Sequence, residues 1–262
     1  MFLSKKIKDY EAKYRGKEIK MSTEINSFLN MKNSVEIKVG TYVVVGVIYS
    51  ISMGTIKIIL QQDKILPILA QNGNLGNIQI RSYDSSAGDD TFYIPSLVVK
   101  LINTSSYSIQ DKEYNLLTLE FLSSMPEEIL VKIGKLLDLK LGQNQRIHER
   151  IIIDKESLKK LNLASDKAFI EVNGVKHKCL IKDMSYGGAL LISYFDYEKF
   201  EERNTDLILN FEIAGKEVSI IGQARNLSVI QTPNGKVLAI GIAFCEEKIP
   251  LDYTMLIHDY FN

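Results

Sequence analysis

Residues 41–60 read TYVVVGVIYSISMGTIKIIL. An apolar run of that length could cross a membrane as a helix, so its reading decides the class of the whole chain. Gly46, Gly54 and Lys57 interrupt it, and it is rich in Val, Ile, Tyr and Thr, residues that suit a pleated strand. Two β-strands joined near residues 52–54 account for both features, and the membrane helix is set aside.

The strand pattern continues on both sides. After a helical opening over residues 1 to about 30, VEIKVG precedes the run, and NIQIRSY, TFYIPSLVVKLI and YNLLTLEFL follow it at regular intervals with turn residues between. That spacing predicts a small barrel or sandwich. In MPEEILVKIGKLLDLKLG the period changes: Ile129, Leu130, Ile133, Leu136 and Leu137 recur at helical spacing, Pro126 and two glutamates open the segment, and Gly142 can close it. A domain boundary is expected at GQNQ. Strands resume in RIIID, AFIEVNGVKHKCLIKDM, GALLISYF, DLILNFEIAG, EVSIIGQARNLSVI and KVLAIGIAFC, and the chain ends in the helical pattern LDYTMLIHDYF. VNGVKH and TPNGKV carry the Asn-Gly pairs of tight hairpins. The predicted fold is mainly β, with two small antiparallel β-barrel domains and flanking helices: a helical segment over 1–23, a first β domain over 24–140, and a second over 141–262 that includes its linker.

Composition narrows the function. The 262 residues are 45 % apolar, enough for a sizeable core, and 32 basic residues balance 32 acidic ones. No global positive field therefore draws in a polyanion, and any anion site must be a local cluster. Cys179 and Cys245 are the only cysteines, with no metal-ligand spacing. Together with a charged N-terminus lacking a signal-peptide core, they predict a cytoplasmic protein with no membrane association.

Two clusters stand out. RIHER, residues 146–150, sets Arg146 and Arg150 four apart in a chain with six arginines and twenty-six lysines. Thirty-three residues after Arg150, DMSYGG places Asp183, Ser185 and Gly188 as D-x-S-x-x-G. Guanidinium donates bidentate pairs, stacks on purines and pairs with phosphate, whereas lysine offers only its charge. In an extended segment two residues four apart share a face about 13 Å apart, and in a helix they would repel, so the pair is expected on a largely extended linker.

Together RIHER and DMSYGG resemble the paired Arg-xxx-Arg and (Asp/Asn)-x-Ser-x-x-Gly signature of PilZ domains, bacterial receptors for cyclic di-guanylate (c-di-GMP), over roughly residues 143 to 256. The resemblance implies a small barrel that binds c-di-GMP without a cofactor, a metal or catalysis, and passes the signal to a downstream protein partner that the motif does not identify. It implies ligand contacts from Arg146 and Arg150, with Asp183 accepting from guanine N1 and N2 and the Ser185 hydroxyl adding a polar contact. Gly187 and Gly188 would keep the strand surface bare or let it bend, and Gln145 is placed to join the site.

IYSISMGTIKI (48–58) aligns with IKDMSYGGALL (181–191), pairing Ser52 with Ser185 and Gly54 with Gly187, but Ser50 with Asp183 and Thr55 with Gly188. This predicts a tandem whose first, degenerate copy has lost the site. The alternative function is a small-barrel nucleic-acid binder using the same basic linker, a role that could also be secondary. Either motif alone would be ordinary, a charged face or a turn. His177 with Cys179 falls short of a zinc site, and GNLG (73–76) reads as a turn. YDSSAGDD (83–90) lacks the ligand pattern of a calcium loop, and His148 has no nucleophile beside it.

Overall fold

The computed structural model describes residues 2–61, 64–82, 94–145, 149–193, 205–233 and 235–262. His148 and YDSSAGDD lie outside this set. The chain divides into two compact units, Met1–Asp138 and Leu139–Asn262. The first contains α1 (Phe2–Lys13), β1 (Ile19–Lys20), α2 (Thr23–Leu29), β2 (Met31–Val39), β3 (Tyr42–Ile51), β4 (Thr55–Leu60), α3 (Ile65–Gln71), β5 (Leu75–Ser82), β6 (Leu97–Ile109) and β7 (Lys112–Phe121). Helix α4 (Glu127–Gln145) follows. The second unit contains β8 (Ile151–Ile152), α5 (Lys155–Lys160), β9 (Lys167–Val172), β10 (Val175–Ser185), β11 (Gly188–Ser193), β12 (Asp206–Ile213), β13 (Lys216–Thr232), β14 (Gly235–Phe244) and α6 (Leu251–Phe261).

The opening stretch of sequence forms the β3–β4 hairpin. Val44, Ile48 and Ile56 alternate into the core while Val43, Val45 and Val47 face outward, the period-2 burial of a strand. In the first sheet the strand order is β1-β3-β2-β5-β6-β7-β4, and pairing of β4 with β3 closes six strands into a barrel. In the second the order is β11-β14-β13-β12-β9-β10-β8 with β10 and β11 also paired as a hairpin, so that the ring closes through the non-sequential seam of β11 on β14. Closure leaves a barrel without open edges.

The two barrels have one topology, strand for strand, with β1 and β8 each adding a short edge. Two of their ladder irregularities coincide as well. A bulge falls between Ile48 and Ser50 on β3 and between Ile181 and Asp183 on β10. Another falls between Leu101 and Asn103 on β6 and between Ala224 and Asn226 on β13. Phe121 N–H donates to Gly54 O at 3.0 Å and Phe244 N–H to Gly187 O at 2.8 Å. The alignment of 48–58 on 181–191 thus extends to the whole barrel.

Three sequence expectations change. The helical opening is two helices, broken at Gly16 (φ 73°) and by β1. The expected strand RIIID shortens to Ile151–Ile152, and its Asp154 instead caps α5 through a reciprocal capping box with Ser157. Gly142 does not close α4, which runs through GQNQ to Gln145, so that part of the expected extended linker is helical. A Cβ on Gly142 would lie 3.0 Å from His258 Nδ1 of α6. Glycine serves close approach there, and the glutamines that follow are good helix formers.

In the first unit α1 is clamped to α4 by Asp138, which accepts from the Tyr14 hydroxyl and, at 2.6 Å, from Lys13 Nζ. Burial pushes this carboxyl up, but the Lys13 and Tyr14 hydrogen bonds outweigh it and hold the group below its ordinary value of 3.8. Burial and the same carboxylate push the Tyr10 phenol up to about 12. A depressed folded pKa contributes stability that is complete above the unfolded value and lost as pH falls through the folded one. Asp138→Ala is expected to cost about 2 kcal/mol at neutral pH, since it orphans the buried Tyr14 hydroxyl. In chemical denaturation the difference from the parent should shrink below pH 4, and an equal difference at pH 3 and pH 7 would refute the ionic clamp.

Candidate functional site

The site is built where β8 meets the β10–β11 turn. Ile151 pairs with Met184 and Ile152 with Asp183, so residue 150 emerges beside the Asp183 carboxylate. Arg150 Nη1 donates to Asp183 Oδ1 in an ion pair, with the arginine half exposed and Asp183 largely covered. In the turn, the Ser185 hydroxyl is buried and donates to Gly188 O at 3.2 Å. Tyr253 of α6 reaches up from below, its hydroxyl donating to Ser185 O at 2.6 Å. Its ring sits edge-on between Phe211 and Phe244. Complete burial drives this phenol well above its ordinary pKa, so it remains a hydrogen-bond donor.

Gly188 is required by the barrel seam. A Cβ there would lie 2.1 Å from Ile242 O, against backbone that cannot give way cheaply. The absence of a side chain lets β11 close onto β14 directly beneath the turn.

Beside this seam lies an open cleft of about 430 Å³ lined by Arg150, Ser185, Gly187, Gly188, Arg225, Asn226 and the β14 stretch Gly241, Ile242 and Ala243. That size is in the range of small-molecule sites. Two clefts of about 360 and 460 Å³ elsewhere mix charges of both signs, one around Lys167, Glu212 and Glu217 and one around Lys8, Glu11 and Arg15. Of these three clefts among the described residues, the 430 Å³ one joins two arginines to a glycine-rich stretch of backbone, an arrangement suited to an anionic, flat-faced ligand.

Of the residues singled out by sequence, Arg150, Asp183, Ser185, Gly187 and Gly188 come together here. Gln145 ends α4, and Arg146 lies outside the described residues. Sequence reasoning missed Arg225, Asn226 and the Gly241–Ala243 floor; the rarity of arginine was the available signal, but nothing local tied QARN to the turn. Burial pushes the Cys179 thiol up to about 12, which makes it an inert core group. Among the described residues, no three His, Cys, Asp or Glu side chains cluster to hold a metal, and no helix is long and apolar enough to cross a membrane.

Residues 5–140 match the model of the PilZN3 domain. The chain belongs to the PilZN3 family. Along 99 % of its length this PilZN3 chain is 61 % identical to the Borreliella burgdorferi PlzA protein, whose crystal structure was determined in complex with c-di-GMP; the match covers all of that chain with a TM-score of 0.50. It is also 25 % identical over 265 residues to the cyclic di-GMP binding protein of Treponema denticola, covering 99 % of this chain and 82 % of the relative.

Tyr253→Phe in the PilZN3 chain removes one atom and leaves the buried Ser185 carbonyl without its donor. It is expected to cost about 1–2 kcal/mol in chemical denaturation. It should also speed amide hydrogen exchange across residues 183–188, and unchanged exchange there would show that the turn does not depend on α6.

Proposed function

We propose that this protein is a c-di-GMP receptor that binds its ligand in the cleft of the second unit. The observation that carries the reading is the Arg150–Asp183 pair standing over the DMSYGG turn, which gathers a phosphate- and base-binding guanidinium, a guanine-edge acceptor and bare backbone at one place. The similarity to PlzA and to the Treponema protein, both described by that ligand, supports it. Asp183 accepts from guanine N1 and N2, which adenine cannot supply, and Arg150 serves phosphate or a purine face. Arg146, Gln145, Ser185, Gly187 and Gly188 belong to the same proposed site. The role is that of a cytoplasmic receptor and effector rather than an enzyme. A ligand held by both linker arginines would restrict the arrangement of the two units, which inter-unit distance distributions with and without c-di-GMP would test.

Calorimetric titration with c-di-GMP, c-di-AMP and a short DNA duplex separates the receptor from the nucleic-acid binder. Arg150→Ala is expected to weaken c-di-GMP by about thirtyfold, the loss of charge-assisted hydrogen bonds, and Arg150→Lys should recover little of it. Asp183→Ala should narrow the preference over c-di-AMP. Parental affinity in a folded Arg150→Ala chain, or tighter binding of the duplex than of c-di-GMP, would sink the reading.

A further inference from the structure

We infer that Arg225 is a third ligand-contacting arginine, on the wall of the cleft across from Arg150. This rests on the c-di-GMP reading above. Strand β14 forms the floor, and β11 and β13 flank it. The DMSYGG turn and Arg150 line one side of the floor, and Arg225 and Asn226 line the other. On β13 the bulge between Ala224 and Asn226 makes Arg225 the extra residue of the ladder, and its side chain is exposed. Bulges re-aim side chains in this way beside functional sites.

The first unit supplies an internal comparison. The same bulge, between Leu101 and Asn103, carries Ile102. By strand pairing, Thr55–Glu120 stands where the second unit has Gly188–Ala243, and Lys57–Thr118 where it has Leu190–Gly241. The bulge therefore belongs to the fold, whereas the guanidinium and the bared floor belong to the unit that holds the Arg150–Asp183 pair. Of six arginines in the chain, two line this one cleft.

The geometry also suits the size of the ligand. Two strand spacings separate β11 from β13, about 10 Å, so a single nucleotide at the turn would leave the β13 wall untouched. A cyclic dinucleotide has a second guanine and a second phosphate to place there. Arg225 can donate a bidentate pair to either, over a floor where Ile242 is buried in the core and its neighbours Gly241 and Ala243 carry nothing larger than methyl.

The test is calorimetry with c-di-GMP on the full chain and on Arg225→Ala, Arg225→Ile, Arg225→Lys and Arg81→Ala. Arg225→Ile imports the residue of the first unit. Arg81 pairs with Glu36 in the first unit, so its removal controls for net charge alone. Arg225→Ala and Arg225→Ile are expected to bind about tenfold or more weakly with unchanged melting temperature. Arg225→Lys should recover only part of the affinity, and Arg81→Ala should match the parent. Parental affinity in Arg225→Ala, full recovery in Arg225→Lys, or an equal loss in Arg81→Ala overturns the assignment while leaving the receptor reading in place. Failure of the parent chain to bind c-di-GMP overturns both.

Discussion

The seam at which β11 closes onto β14 is the contact on which both the fold and the candidate site depend. Closing a six-stranded barrel brings a hairpin turn against a neighbouring strand, and here the turn is tied down by Phe244 N–H to Gly187 O. Only glycine at position 188 tolerates the Ile242 carbonyl that this closure presents. The same tightness strips the surface next to the turn of side chains. A cleft with a backbone floor is thus a consequence of barrel closure, and Arg150 and Arg225 stand at its sides because β8 and the β13 bulge deliver them there.

The first unit shows what this backbone does without those residues. Glu18 precedes β1 as Arg150 precedes β8, and Ser50 stands where Asp183 does. Glu18 accepts from Ser50 Oγ at 3.1 Å and from Lys57 Nζ, 2.8 Å away at its closest. The carboxylate and hydroxyl satisfy each other in the place where the second unit sets guanidinium against carboxylate. With Glu18 engaged by Lys57 and Glu120 beside Thr55 across the seam, that place offers an anion no free guanidinium fork. Fold and candidate site are separable within one chain, since the hydrogen-bond ladder is repeated and the charges are not.

This separation explains how much could be read from sequence. Strand alternation, the 52–54 turn and the apolar stripe of α4 are local patterns, and they appear in the structure where the sequence places them. RIHER and DMSYGG were legible because each is short, although their contact spans 33 residues. Arg225 was not legible: its place depends on the register of β13 against β14 and on one extra residue in that ladder. The end of α4 was misread for a related reason. A glycine that normally stops a helix is here the residue that lets α4 pack against His258, and sequence alone does not show which neighbour will arrive.

Charge and residue type account for the remaining economy of the site. With 32 basic and 32 acidic residues, the protein has no net charge to draw an anion from a distance, and salt screens surface attraction beyond about 8 Å. Discrimination must come from contacts made at hydrogen-bond range. A lysine-rich surface serves solubility equally well anywhere, but a planar donor fork is useful only where an acceptor of matching geometry arrives. The placement of the few arginines is therefore more informative than their number, and the second unit directs two of them across one bare strand, where a flat, doubly charged molecule would meet both.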